Sequence, residues 1–556
     1  MSTGHAGLLV ETEAGSVLCD PWFNPAYYGS WFPFPDNSGL DPSVLGRADY
    51  LYVSHLHRDH FDPEWLRRHM SKRATVLLPD YPVPDLRDAL EDLGFRSFVQ
   101  TRDNEVTEVD GALRVLISTV TSPADGEIGD SSIALDDGTV RIFNQNDARP
   151  VENGPIEAFG PLAGHFLQYS GAIWFPMVYE FPERMKSTLG RRKRRNGMER
   201  ALRYINHYDA AHVFPFAGPP CFLDDDLFHM NDFENTDDNT FPDQMAFLEF
   251  LSEQGQRNGH LFLPGTVVEL GRDGACAIEQ LPQDVIDDIY LDRKGYLERY
   301  QERSRPQLTA ERASWPGDTS DLFAQLTDWV EPLLSRADHI CTGVNGRVLF
   351  EILPDGDGDG DGDGDGGPEA DSEERSDSES EHIVFDFLDR RVKRWAGEEC
   401  RYTFRIPRPL AEDLVRRREQ DWVNHLFLSC RFAANRKGTY NEYIFSFLQA
   451  MSPQRLEYME RYYAERDGMG SLARAGEYVV QRQCPHLGAD LERFGVVKDG
   501  VLTCQLHGWE FDLATGTCLT SDDRKLFSEY DPARAGGDLP SIPVLDQPAA
   551  DDRSNV

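Results

Sequence analysis

Lysine is scarce in this chain: eight of its 56 basic residues are Lys and the rest are Arg. Positive charge as a whole falls short, since 96 Asp and Glu leave a formal net charge of -40. A polyanion repels a polyanion, which excludes nucleic acid as a bulk partner, and an anionic membrane surface with it. A GC-rich genome accounts for Arg over Lys. A salt-adapted proteome with an acidic surface accounts for the acid excess as well and is the better reading. Cysteine is sparse too, and nine scattered over 556 residues cannot make a disulfide scaffold. No apolar run reaches the roughly 18 residues that a membrane helix needs. The start, MSTGHAGLLVETEAG, lacks the basic and apolar segments of a signal peptide. The expectation is a soluble, cytoplasmic chain.

What is there suffices for real cores, with 40% hydrophobic and 11% aromatic residues, and the length suggests three or four domains. Residues 1–285 alternate strand-like runs (GLLVETEAGSVLCDPW, DYLYVSH, TVLLPD, LRVLIST, HVFPFAG) with helical pieces, which predicts an α/β domain. Residues 286–440 read as an α+β middle region with a hairpin, GRVLFEIL and HIVFDFLDRRV. Between its arms lies DGDGDGDGDGDGG and an acidic run, about residues 355–381. That tract lacks the apolar positions of calcium-binding β-roll repeats and reads as a disordered insertion. Residues 441–545 predict a small all-β domain, followed by a polar tail, 546–556.

Two Cys-His pairs mark the C-terminal part: Cys484-Pro485-His486, then after 17 residues Cys504-Gln505-Leu506-His507. Two thiolates on one iron and two imidazoles on another hold a two-iron cluster. Zinc also suits two Cys and two His, but zinc-finger spacing differs and the second loop is glycine-rich, offering N–H groups to bridging sulfides. The loops CPHLGADL and CQLHGWEFDLATG resemble the Rieske family. The resemblance implies a [2Fe-2S] cluster on Cys484, His486, Cys504 and His507, of oxygenase or ferredoxin type. Cys518 reads as a core or surface thiol.

The N-terminal part has His55, His57, Asp59 and His60 in SHLHRDH, directly after the strand DYLYV. Four ligand side chains within six residues are wasteful on a plain loop. H-x-H-x-D-H resembles the metallo-β-lactamase fold, an αββα sandwich. That resemblance implies that His55 and His57 bind one metal, that Asp59 and His60 bind a second, and that Asp20 orients a ligand from behind. It also makes Asp147, in IFNQND, the bridging carboxylate and His229, in LFHMND, the late ligand. The family's middle His has no counterpart between Leu116 and Asp130, with His165 as its one substitute. A ligand set with vacancies weakens a hydrolase reading and suits iron that binds dioxygen. His207 and His212 have H-x4-H spacing, as in ordinary Rieske oxygenases, but the position three residues earlier is Tyr204 instead of Asp. They read as helix-end and strand residues.

A Rieske centre and a metallo-β-lactamase domain on one chain resemble the CMP-N-acetylneuraminate hydroxylase family. GDSSIAL, FPMVYEFP and HVFPFAGPPCF support this, although here the Rieske part comes last. The resemblance implies a Rieske-type, dioxygen-dependent monooxygenase. Its iron, mono- or dinuclear, sits in the N-terminal domain, with zinc as the alternative. A ferredoxin or cytochrome-type donor reduces the cluster. The substrate is a small molecule, an N-acyl sugar, nucleotide-activated or free, or another amide. One cluster per chain supplies single electrons, so successive reductions, a second metal or a homo-oligomer must provide the second. The rival readings are a metal-dependent hydrolase with an appended redox module, and a non-catalytic electron carrier. Arg191-Arg192-Lys193-Arg194-Arg195 reads either as a phosphate contact or as a solvated segment. Tyr27, Tyr28, Trp31 and Phe32 line a pocket or pack a domain edge.

Overall fold

The computed structural model describes residues 1–545 apart from 112, 122–128, 171–173, 232–240, 318–320, 355–379, 466–470, 487, 507, 522–523 and 538. Nearly all of the acidic insertion, the polar tail and the expected ligand His507 therefore lie outside the described residues.

The N-terminal half is built on two six-stranded sheets. The first opens with Ser2–Gly4 antiparallel to Gly7–Thr12, which forms the expected hairpin with Gly15–Cys19, Gly15 having a φ of +124° that favours glycine. It continues in parallel through Tyr50–Tyr52, Thr75–Leu78 and Ser97–Gln100. Parallel strands are covered on both faces, so they read as unbroken apolar runs such as TVLL. The second sheet runs from Val106–Asp110 through Leu113–Val120, Asp130–Asp136 and Arg141–Asn146 to Gly164–Gln168 and His212–Phe216, the last two joints being parallel. Leu8, Val17, Tyr52, Ile133, Phe166 and Phe214 fill the space between the sheets. Each large buried side chain contributes about 1.5–3 kcal/mol.

Helices cover both outer faces, giving the αββα sandwich. Helix Pro63–His69 starts at Asp62, which accepts from the Trp65 N–H at 2.9 Å, with Pro63 in the first turn. The Asp62 carboxylate also accepts from the N–H groups of Phe23 and Asn24, so it ties the end of the His55–His60 loop to the first sheet. On the other face lies the 26-residue helix Glu183–Tyr208, whose Gly197, Ala201, Tyr204, Ile205 and Tyr208 form one buried stripe.

The middle region has a five-stranded sheet centred on Arg347–Leu353, with the predicted hairpin partner Glu381–Asp386 on one side and Tyr402–Pro407 on the other. Helices Glu442–Gln449 and Pro453–Glu465 pack into this same core, which also takes in Trp22, Tyr27, Tyr28 and Trp31 of the N-terminal domain. The expected limit at residue 440 thus falls before two helices that belong to the middle core. The C-terminal domain has two three-stranded antiparallel sheets, and its Val480, Leu502, Trp509 and Phe511 share a core with the stripe of the long helix.

Candidate metal centres

The loop after Tyr50–Tyr52 carries His55, His57, Asp59 and His60, with His55 and His60 fully buried. Asp20, at the end of its strand, accepts from the Ser54 N–H (2.7 Å) and the Ser54 hydroxyl (2.8 Å). Having given its proton away, that hydroxyl turns its lone pairs to Nδ1 of His55 (2.9 Å) and of His60 (3.2 Å). Nδ1 of His60 also faces Asp20 at 3.2 Å, and Nδ1 of His55 faces Asp130 at 3.2 Å. Both Nδ1 atoms are thereby donors, which leaves both Nε2 lone pairs aimed the other way.

They aim at Asp147: its Oδ2 lies 3.5 Å from His60 Nε2 and 3.9 Å from His55 Nε2. Nε2 of His55, His57 and His60 and Oδ1 of Asp147 are buried without a hydrogen-bond partner among the described residues. Buried polar atoms normally have partners. Four that lack them, gathered on one loop and its facing carboxylate, fit a bound metal ion. Asp59 looks to a neighbouring position, 3.8 Å from His60 Nε2 and 2.9 Å from Nε2 of His5, and it accepts from the Tyr27 hydroxyl at 2.7 Å.

Electrostatics agree with a cation site. Burial opposes charge on His55, yet Asp130 and Asp147 raise its pKa well above the ordinary value. His57 is pushed down to about 3 by burial and by its neighbour His55. Burial also opposes ionisation of Asp147, but His60, His55 and His57 hold its carboxyl below the usual range. The acids around these imidazoles draw positive charge to the site, as protons on His55 and His60 or as a metal ion in their place.

The structure thus brings together His55, His57, Asp59, His60 and Asp147, with Asp20 behind them. It does not bring His229. That residue is exposed in the turn Phe228–Asn231 and joins none of the ligand groups among the described residues. The expectation for His229 is corrected: a short 3-10 turn points it to solvent. His165 is a core residue whose Nε2–H donates to the Gln145 Oε1 at 2.9 Å, with its ring stacked on Phe143. His207 pairs with Glu157. Sequence reasoning missed His5, whose only signal is its place in the turn just before the first hairpin, and Asp130, hidden among many acids. The aromatic loop both packs the domain edge and reaches the centre, since Tyr27 binds Asp59. From the middle domain His425 meets it, its ring 4.9 Å from Tyr28 and 6.5 Å from Tyr27.

In the C-terminal domain Cys484 and Cys504 are buried thiols and His486 is buried beside them. His486 lies flat on Trp509, ring centroids 4.0 Å apart, and its Nε2 is 3.8 Å from Glu442 of the middle region, which Arg524 also pairs. Both loops close on backbone bonds, from the Gly488 N–H to the Cys484 carbonyl (2.9 Å) and from the Gly508 N–H to the Cys504 carbonyl (2.7 Å). Gly488 and Gly508 adopt φ of +71° and +74°, which explains the glycines in both loops. Cys518 is a buried core thiol that accepts from the Ser521 N–H. The basic run lies within the long helix and serves the domain joint: Arg192 pairs with Glu510, while farther along Arg200 and Arg203 donate to the Leu506 and Arg493 carbonyls.

The Rieske [2Fe-2S] domain family matches residues 466–531, and a family described as Rv3818-like, SCP2-like domain matches residues 322–465. Mouse cytidine monophosphate-N-acetylneuraminic acid hydroxylase is 24% identical over 278 residues, 48% of this chain and 46% of that protein. Among solved structures, CmlA, a diiron beta-hydroxylase from Streptomyces venezuelae, aligns with a TM-score of 0.31 at 15% identity, over 50% of this chain and 53% of that one. No described helix is long and apolar enough to cross a membrane. The Rieske 2Fe-2S iron-sulfur protein Rv3818 of Mycobacterium tuberculosis is 44% identical over 535 residues, 95% of this chain and 99% of that protein. With a match of that extent, the chain belongs to the Rv3818 family of Rieske iron–sulfur proteins.

Proposed function

We propose that this chain is a Rieske-linked iron monooxygenase that hydroxylates a small N-acyl compound, a sugar in free or nucleotide-activated form. A ferredoxin or cytochrome-type protein is its electron donor. Cys484, His486, Cys504 and His507 would hold the [2Fe-2S] cluster, and His55, His57, His60 and Asp147 the iron, with His5 and Asp59 beside it. When bound, these groups supply one-electron transfer and dioxygen activation. The observation that carries the reading is the convergence of buried, unpartnered imidazole nitrogens on Asp147 in a chain that also holds a Rieske domain. The likeness to the mouse hydroxylase supports the substrate class.

The chain's own residues do the positioning. Asp20 and Ser54 fix the tautomers of His55 and His60. Tyr27 holds Asp59, and the Arg58 N–H donates to the same hydroxyl at 3.0 Å. The middle domain docks on the same half of the chain: Arg455 pairs with Asp85, and the Tyr458 hydroxyl donates to the Thr121 carbonyl at 2.7 Å.

Metal analysis with electron paramagnetic resonance of the reduced protein tests the reading, followed by oxygen uptake with reduced ferredoxin and N-acetyl nucleotide sugars. Iron beyond the cluster's two, and uptake coupled to substrate loss, are expected. Zinc at the His55 loop in the active protein would sink the oxygenase reading in favour of a hydrolase.

A further inference from the structure

Strand His212–Phe216 runs between two groups of ligand side chains. Beyond its C-terminal end the Ala217 N–H donates to the His5 carbonyl, next to the N-terminal metal centre. At its start, His212, His260 and Cys276 each place a ligand atom within 4.8 Å of the others, all three half-buried. A strand rises roughly 3.3 Å per residue, so this second group lies about 15 Å from the first.

The two imidazoles are held in place by the backbone around them. His212 Nε2 lies 2.9 Å from the Gly274 carbonyl, which can only accept, so Nε2 carries the proton and Nδ1 keeps its lone pair. A ring N–H donated to a backbone carbonyl is the usual support behind a metal-bound histidine. That Nδ1 accepts from His260 Nε2–H at 2.9 Å, so an ion entering here takes the place of this hydrogen bond and moves the His260 proton to its Nδ1. His260 is set in place by its N–H, which donates to the Val213 carbonyl, and by its ring against Phe214, centroids 5.3 Å apart. Cys276 opens the second arm of the hairpin Val267–Leu270/Cys276–Glu279, whose turn is closed from the Gly271 N–H to the Ala275 carbonyl.

The geometry points to a third metal site in this chain: His212, His260 and Cys276 bind one divalent ion of the zinc class, with a fourth position left to water. Two imidazoles and one thiolate suit a borderline-soft ion and not magnesium or calcium. At Zn–N distances of about 2.0–2.1 Å, two nitrogens of a tetrahedral site stand roughly 3.3 Å apart, so the rings need part by only a few tenths of an ångström. The ion would pin the hairpin to the edge of the second sheet. The Cys276 thiol gives up its proton to solvent on binding, with no change in oxidation state.

Cobalt(II) titration of the full chain with its cluster loaded tests this, read as a difference spectrum against the metal-free titration point. A thiolate-to-cobalt charge-transfer absorption is expected. Cys276→Ser should lose that absorption, and His260→Ala should lose one equivalent of bound ion, while the Rieske spectrum is unchanged in both. Zinc-edge X-ray absorption of the zinc-loaded protein should show a sulfur ligand that Cys276→Ser removes. If wild type and both variants bind the same number of ions with the same spectrum, the trio is only a hydrogen-bonded surface cluster and the site does not exist.

Discussion

His5 Nε2 stands 2.9 Å from Asp59 Oδ2, although one residue lies in the first turn of the chain and the other in the loop after the fourth strand. The Asp59 carboxylate also accepts from Tyr27 and leans toward His60, so His5, Asp59 and His60 form a second ligand group beside His55, His60 and Asp147. The single lone pair of His60 Nε2 serves one of these groups at a time, so a second ion beside the first would rest on His5, Asp59 and other donors. His5→Ala is expected to lower the iron content by up to one equivalent while the cluster spectrum stays intact, which metal analysis per chain would show. Unchanged iron would make His5 a structural partner of Asp59 alone.

Asp20 acts through Ser54 and His60. Asp20 has a left-handed φ of +41°, which Asn also tolerates, so Asp20→Asn should fold. Removing such a supporting carboxylate typically weakens metal binding about 10–100-fold. Competition with a chelator measures that loss, and a wild-type affinity would show that Ser54 alone fixes the imidazoles.

The two centres should fail independently. His486→Ala is expected to bleach the visible cluster spectrum and leave metal at the His55 loop. His57→Ala should do the reverse, with an intact cluster and no turnover. Full activity of His57→Ala would put the catalytic metal elsewhere.

Asp224 is buried and joins two domains, pairing with Arg431 of the middle region at 2.9 Å and with Arg312 at 2.6 Å, while Arg431 also donates to the Tyr28 carbonyl. Truncating one partner leaves buried guanidinium charge uncompensated, at a cost of about 3–5 kcal/mol. Asp224→Ala should therefore shift the urea midpoint strongly downward. A shift within a few tenths of a kcal/mol would mean that water already reaches the pair.

His165 gives a pH prediction. Burial pushes its pKa from 6.5 down to about 3. The folded pKa lies below the unfolded one, so the unfolded chain binds the extra proton as pH falls from 6.5 toward 3, and stability is lost over that window. From pH 6.5 to 5 the loss from this group is about 2 kcal/mol. A His165→Gln variant should show a stability–pH slope shallower by that amount in denaturant melts. An unchanged slope would show that His165 charges in the folded state.

Sequence by itself marked most residues of both proposed centres, because those residues sit close together in the chain. H-x-H-x-D-H occupies one loop after one apolar strand, and each Cys-His pair occupies one glycine-containing turn, so spacing alone reports their local geometry. The alternating strand and helix signals likewise indicated an α/β domain, with parallel strands recognisable as apolar runs, and the resemblance carried by H-x-H-x-D-H added the αββα sandwich. Tertiary structure alone decided the rest. His5 and Asp130 carry no local pattern, and they reach the centre only through the pairing of strands distant in sequence. His229 has the right residue type and follows the right strand, yet a short turn leaves it exposed. The basic run reads as a phosphate contact or a solvated segment, yet its Arg192 pairs with Glu510 at the joint to the Rieske domain, a partner that arrives only in the folded chain. Local spacing is written in neighbouring residues, whereas contacts between distant segments depend on sheet register and domain docking, which no short stretch of sequence records.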